Sequence, residues 1–382
     1  MKSFHIAIAA SAMMMAACAT APREASQNLV PANAPDGVIV AAPMASAPLD
    51  NSKSLTRIVF ASCAQQNEDQ SIWDRIAAES PELVLYMGDN VYGDVRSNDP
   101  SLPELKAAYM RLAQSQPFAR VRAAAPLLTV WDDHDYGMND GGGDYALREQ
   151  SEALFEYVWA MPADDARRAR PGVYGSWMIG EEGRRVQIIM LDTRFFRSPL
   201  KKTDEYGARG KERWLPDPDP AKTMLGDVQW AWLAEELTKP ADLRLLVSSI
   251  QVLSEGHGWE AWREFPLERQ KLYDTIKRTG ADNLIMLSGD RHSAALYEND
   301  AAIDYPLFEA TSSSLNLPAS VWRAQSGETW VEVDPNRIGD MYYDANYGVI
   351  EIDWAGQSVD VSIRSKDGAA VLSKTIELST LN

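Results

Sequence analysis

Three short apolar runs, each ending abruptly in acidic and imidazole side chains, constrain this chain more than any other feature. Leu83-Val84-Leu85-Tyr86-Met87 delivers Gly88-Asp89-Asn90-Val91-Tyr92, and Leu127-Leu128-Thr129-Val130-Trp131 delivers Asp132-Asp133-His134-Asp135. Asn283 to Leu287 runs through Ser288-Gly289 into Asp290-Arg291-His292. Apolar runs of this length without alternation suit strands covered on both faces. In open α/β sheets, ligands gather outside the carboxyl ends of the strands. Three strand ends carrying carboxylates and imidazoles therefore predict a metal site there.

The rest of the chain supplies the layers such strands need. Segments Ser71 to Glu79, Pro103 to Arg122, Tyr145 to Trp159, Leu225 to Leu237 and Leu267 to Arg278 read as helices between strands, including Arg57 to Ala61 and Leu243 to Ile250. Beyond His292 the character changes: Pro306 to Thr311, Tyr347 to Asp353, Val359 to Ile363 and Ala370 to Leu378 read as antiparallel strands. Strand–helix alternation followed by a β-rich end predicts sheets in the middle with helices outside. Residues 55–382 read as one large domain, without a second linker or internal repeat.

Hard divalent cations favour carboxylate and amide oxygens, and intermediate ones accept imidazole. Asp89, Asp132, Asn139, Asp290 and His292 offer that mixture. Ser62-Cys63 ends the first strand with a thiol where a carboxylate or imidazole would be expected in a binuclear phosphoesterase. With the Tyr92 phenol it would donate strongly to a Lewis-acidic ion such as ferric iron. Two cations can clamp a phosphate and activate a water. His134 is a candidate acid for the leaving alkoxide, or a group that holds a carboxylate in place. Arg194, in Leu191-Asp192-Thr193-Arg194, could bind phosphate or serve as a salt-bridge partner. His257 reads as an exposed loop histidine beside structural tryptophans, or as part of a substrate rim. Ser312-Ser313-Ser314 reads as a loop, and no Gly-x-Ser-x-Gly elbow accompanies it, which disfavours a serine hydrolase.

Phe60-Ala61-Ser62-Cys63, Gly88 to Asp94, Trp131 to Asp135 and Gly289 to His292 occur in the order and spacing of the alkaline phosphatase D (PhoD-like) family, which this chain resembles. That family belongs to the calcineurin-like metallophosphoesterases. The resemblance implies a four-layer α/β/β/α sandwich that hydrolyses phosphomonoesters or phosphodiesters with iron (Fe3+) and calcium. It implies iron ligands at Cys63, Asp89, Tyr92 and Asp290, and calcium ligands at Asp89, Asp132 and Asn139. His292 would face metal or phosphate. Two departures from the family's archetype are expected: only the tether precedes the catalytic part where the archetype has an additional N-terminal β-domain, and the segment Tyr136 to Gly143 is glycine-rich.

The N-terminus has the pattern of a secretory leader: Met1-Lys2, an Ala- and Met-rich run, then Ala16-Ala17-Cys18. Residues 1–18 are expected to be a signal peptide ending at a lipidated Cys18. Residues 19–54, rich in Ala and Pro, are expected to form a flexible tether. The chain would then be a periplasmic protein held by its lipid at the outer membrane, with plain secretion as the alternative. Cys63 is the other cysteine of two, so a lipidated Cys18 leaves no internal disulfide. A net charge of −18 disfavours nucleic acid as a partner, because phosphate backbones need a basic footprint. The expected partners are a phosphate-ester substrate and the membrane, with no protein partner. The competing readings are a tethered phosphodiesterase for phospholipid or cell-wall polymer, and a lipoprotein that binds metal or phosphate without turnover.

Overall fold

The computed structural model describes residues 43–382. The chain runs β1 (Arg57–Ala61), α1 (Ile72–Ala78), β2 (Leu83–Met87), α2 (Pro103–Ala113), α3 (Gln116–Ala124) and β3 (Leu127–Val130). There follow α4 (Asp133–Tyr136), α5 (Arg148–Val158), β4 (Gly175–Ile179), β5 (Val186–Met190), β6 (Lys201–Lys202) and β7 (Trp214–Leu215). Next come α6 (Gly226–Glu236), β8 (Leu243–Val247), α7 (Pro266–Thr279), β9 (Leu284–Ser288), β10 (Ala294–Asn299) and β11 (Leu307–Thr311). The last are α8 (Ala319–Ser326), β12 (Arg337–Tyr342), β13 (Asn346–Asp353), β14 (Ser358–Ser365) and β15 (Ala370–Glu377).

Two sheets result. One has the order β15-β14-β13-β1-β2-β3, the other β12-β10-β11-β9-β8-β5-β4. β1, β2 and β3 run parallel, as do β5, β8, β9 and β11, while the remaining strands of each sheet are antiparallel. Side-chain alternation shows how they stack. Tyr86 of β2 meets Trp73 and Phe118 of the outer helices, with ring centres 5.2 and 6.0 Å apart. Leu83, Leu85 and Met87 therefore face the opposite way. In the second sheet Ile188, Met190, Leu245, Val247, Ile285 and Leu287 share one apolar cluster with the first sheet. Ile189, Leu246, Leu284 and Met286 instead pack on Trp230 and Leu233 of α6 and Leu272 and Ile276 of α7. The layers are helix, sheet, sheet and helix, as expected.

Local chemistry explains where the elements depart from the sequence reading. The helix expected over Pro103 to Arg122 is two helices. Pro117 cannot sit inside an α-helix, so the chain restarts at Gln116 with Ser115 accepting from the Phe118 N–H at 3.4 Å. β11, expected in an antiparallel set, pairs antiparallel with β10 on one side and parallel with β9 on the other. β10 and β12, which have no counterpart in the sequence reading, extend that sheet on its far side.

The tether boundary also moves. Residues 43–54 lie on the domain: Met44 is buried, its N–H donates to the Val158 carbonyl at 2.6 Å, and the Ala47 N–H donates to that of Arg122 at 2.7 Å. A segment without periodicity can still dock through isolated apolar side chains and backbone bonds, which composition does not reveal. The expected leader, Cys18 and most of the tether lie outside the described residues. Among the described residues no helix is long and apolar enough to cross a membrane.

Candidate metal centre

The carboxyl ends of the parallel strands from both sheets meet in one place. Cys63 lies two residues after β1, Asp89 two after β2, Asp132 two after β3, and Asp290 two after β9. Turning the chain so sharply requires left-handed backbone at residues that tolerate it poorly. Cys63, Asp89, Asp290 and His292 have φ of 59°, 49°, 67° and 53°. Such conformations are disfavoured for side chains with a Cβ and cluster at functional sites. Gly88 permits the approach of the two loops: at φ +105°, a Cβ there would stand 2.6 Å from that of Asp132.

Asp135 braces the site. Its carboxylate accepts from the Asp132 N–H at 2.7 Å and the Asp89 N–H at 3.2 Å, and also holds Asn90. It therefore locks the ends of β2 and β3 together. The serine run after β11 holds Cys63: Ser313 Oγ donates to Sγ at 3.0 Å, and Ser314 Oγ donates to the Cys63 carbonyl at 2.8 Å. Ser313 also receives the His292 N–H at 2.7 Å. The run expected as a plain loop thus links β1 to β9.

Ligand atoms of Cys63, Asp89 and His292 lie within 4.8 Å of one another, as do those of Asp89, Asp132, Asp133 and Asp290. Asp89 belongs to both groups and can bridge two ions. Tyr92 joins the first, its hydroxyl donating to Asp89 Oδ2 at 3.1 Å and standing 3.4 Å from His292 Nε2. The His292 ring is fixed from its other side by the Leu317 carbonyl, 2.6 Å from Nδ1. Asp133, given no ligand role in the sequence reading, is brought into the second group. Asn139 is half-buried in the loop after α4, with no hydrogen bond from its side chain to these groups among the described residues. His134 Nδ1 lies 3.1 Å from both oxygens of Asp94, and its ring packs on Tyr92 at 4.4 Å between centres. Asp94 had no role in the sequence reading, although it stands only two residues beyond Tyr92.

This arrangement is electrostatically incomplete without a cation. Burial, and then the neighbouring Asp133 charge, drives the Asp89 carboxyl well above its usual range. Burial, Asp133 and Glu260 push Asp290 up to about 7. His292 is pushed by burial down to about 4, leaving it neutral and able to ligate. Asp132 Oδ2 and Asp133 Oδ1 are buried without a hydrogen-bond partner. Crowded carboxylates, orphaned oxygens, a neutral imidazole and a thiol fit a pair of metal ions.

Arg194 does not present a free guanidinium to this cluster. It is fully buried, donates through Nε to Asp132 Oδ1 at 2.7 Å, and meets Glu260 Oε2 at 2.5 Å. Glu260 in turn holds Arg197 at 3.0 Å. Of the two roles open to Arg194 in the sequence, the structure shows the salt-bridge one. The reason is position: Arg194 follows β5 in the second sheet, directly across from Asp132 in the first. A cavity of about 950 Å3 lies elsewhere and contains none of the candidate ligands; Arg148, Glu152, Arg170 and Phe196 are among its lining residues.

His257 is neither exposed nor on a rim. It is completely buried, with Nε2 2.9 Å from Gln251 Oε1 and Nδ1 accepting from the Trp259 N–H at 3.1 Å. Burial, with Arg291 and Arg263 nearby, holds it well below the usual histidine range. It therefore stays neutral when folded, while an unfolded chain protonates it below about pH 6.5. Its contribution is complete above that value and declines as the pH falls towards the folded-state value. His257→Gln is expected to shrink the drop in Tm between about pH 7.5 and about pH 5.5, measured by calorimetry. An unchanged drop would place the acid sensitivity elsewhere.

A family model for the PhoD-like phosphatases matches residues 58–362. Alkaline phosphatase D of Bacillus subtilis (strain 168) is 26% identical over 297 residues, which are 67% of this chain and 48% of that protein. The chain thus spans about half the length of that curated relative. A solved structure of PhoD aligns with a TM-score of 0.63 at 16% identity, covering 88% of this chain and 72% of that one. At that identity the likeness concerns the fold alone.

Proposed function

Given that the chain belongs to the PhoD-like phosphatase family, we propose that it hydrolyses phosphate esters at the cluster centred on Asp89. The observation that carries this reading is the shared carboxylate. Asp89 stands within 4.8 Å of ligand atoms in both groups, one of them sulfur- and nitrogen-bearing and the other purely carboxylate. A thiolate, a phenolate and an imidazole suit ferric iron on the Cys63–Tyr92–His292 side. Carboxylates alone suit calcium on the side of Asp132 and Asp133, and Asp290, an iron ligand on the resemblance, is grouped with these carboxylates instead. When bound, such a pair polarises the phosphate and lowers the pKa of a coordinated water.

The chain's own groups hold and steer this chemistry. Asp135 and the serine run fix the ligand-bearing loops. Asp94 orients His134 through Nδ1, leaving Nε2 to give a proton to the leaving alkoxide. Arg194 holds Asp132 rather than the substrate. The leader supports a place in the cell envelope with a lipid anchor. That location would bring phospholipid or cell-wall diesters as well as soluble monoesters within reach.

The test is hydrolysis of bis-p-nitrophenyl phosphate and p-nitrophenyl phosphate by the purified protein, beside Asp290→Asn, with iron and calcium measured in the same preparation. Turnover that disappears in the variant is the expected result, and the ratio of the two rates ranks diester against monoester. Full metal loading with no turnover of either ester would leave a binding protein.

A further inference from the structure

The ligand cluster has a closed side and an open one. Cys63, Asp89, Asp132 and Asp133 are buried, whereas Tyr92, Asp290 and His292 are only half-buried. A substrate therefore arrives past those three. On that open side stands Trp322, whose ring centre lies 5.0 Å from that of His292 at an interplanar angle of 72°.

Trp322 is not a core residue. Many of the other tryptophans either belong to an apolar cluster or donate their indole N–H to a protein acceptor, as Trp131 does to Asp192, Trp230 to Glu268 and Trp262 to Ser248. Trp322 does neither among the described residues, and the His292 ring is its one aromatic neighbour there. The helix that carries it gains little from burial: of α8 only Ala319 is buried, and Val321 is 50% exposed.

Yet α8 is firmly placed. The Ala319 N–H donates to the His292 carbonyl at 2.8 Å and the Ser320 N–H to that of Tyr343 at 2.9 Å. The Arg323 guanidinium sits 4.0 Å above the Tyr343 ring. A helix without a core face of its own, pinned to a candidate ligand, holds a half-exposed indole at the mouth. With His292, Tyr92 and His134, spaced 6.1 and 4.4 Å further along, it continues a row of rings.

We propose that Trp322 is the wall against which the alcohol part of the ester packs, and that it selects esters bearing a flat apolar ring over polyol esters. The inference rests on the phosphoesterase reading above. A flat apolar surface gains from stacking a ring and gains nothing comparable from a hydroxylated chain. A purely structural indole would act through His292 and affect every substrate alike.

The experiment is calorimetric binding of phenylphosphonate and methylphosphonate to the metal-loaded full chain and to Trp322→Ala and Trp322→Phe. Trp322→Ala is expected to weaken phenylphosphonate about tenfold, leave methylphosphonate unchanged, and be largely rescued by Trp322→Phe. Equal weakening of both ligands, no change in either, or no binding of either to the unaltered chain overturns the proposal. Retained, Trp322-dependent binding in a protein that hydrolyses no ester would sink the phosphoesterase reading and leave the wall standing.

Discussion

Asp89→Asn is expected to lower kcat/KM for p-nitrophenyl phosphate by about 10³-fold or more while raising the Tm of the metal-free protein. The loss follows from the bridging position. Asp89 is shared by the two ligand groups, so its removal weakens both ions and the phosphate clamp between them, worth several kcal/mol at about 1.4 kcal/mol per tenfold. The gain follows from like charges. Asp89 is buried among Asp133, Asp132 and Asp135, and without a cation its ionised form is strongly disfavoured. An amide of the same shape removes that repulsion and can still accept from Tyr92. Metal addition should then reverse the order, stabilising the unaltered protein more than the variant. Thermal melts with and without chelator check both signs. A variant less stable than the unaltered chain under chelator would mean that Asp89 is a structural carboxylate satisfied by its hydrogen bonds.

The layered fold and the gathering of the strand-end side chains in one place were legible because they rest on local signals. Apolar runs such as Leu83 to Met87 are buried at every position, and a ligand two residues beyond such a strand can only stand at its carboxyl end. Cys63, Asp89, Tyr92 and His292 were placed together on that logic and on the resemblance to the family. What could not be read depends on the second sheet's position over the first. Nothing local in Thr193-Arg194 says that its guanidinium crosses to Asp132, or that Glu260 waits on its other side. His257 looked exposed because glycines flank it, but Gln251 and Trp259 enclose it. Trp322 was one of 12 tryptophans, and only its placement against His292 distinguishes it. Asp133 was hidden by its neighbour: in Asp132-Asp133-His134 the backbone of a four-residue helix, α4, turns both carboxylates to the same cluster, which a strand-end rule does not anticipate.

Arg194→Met is expected to destabilise the protein by about 3–5 kcal/mol in urea unfolding, the usual consequence of breaking a buried ion pair from one side. The guanidinium and both of its partners have at most 1% side-chain exposure. Removing it leaves Asp132 without its guanidinium partner and Glu260 with Arg197 alone, while Asp133 and Asp290 still face Asp132. Arg194→Lys should recover only part of the loss, because an ammonium cannot reproduce the fork that spans Asp132 and Glu260. Adding Glu260→Met to Arg194→Met should not restore stability, because buried Arg197 then loses its own carboxylate partner. Activity should fall in step with stability, through misplacement of Asp132. A phosphate-binding arginine would behave differently: its replacement would leave the urea midpoint near that of the unaltered chain and raise KM. A folded, stable Arg194→Met with only a raised KM would therefore return Arg194 to the substrate and leave Asp132 to be held by Ser249 Oγ, which donates to it at 2.6 Å.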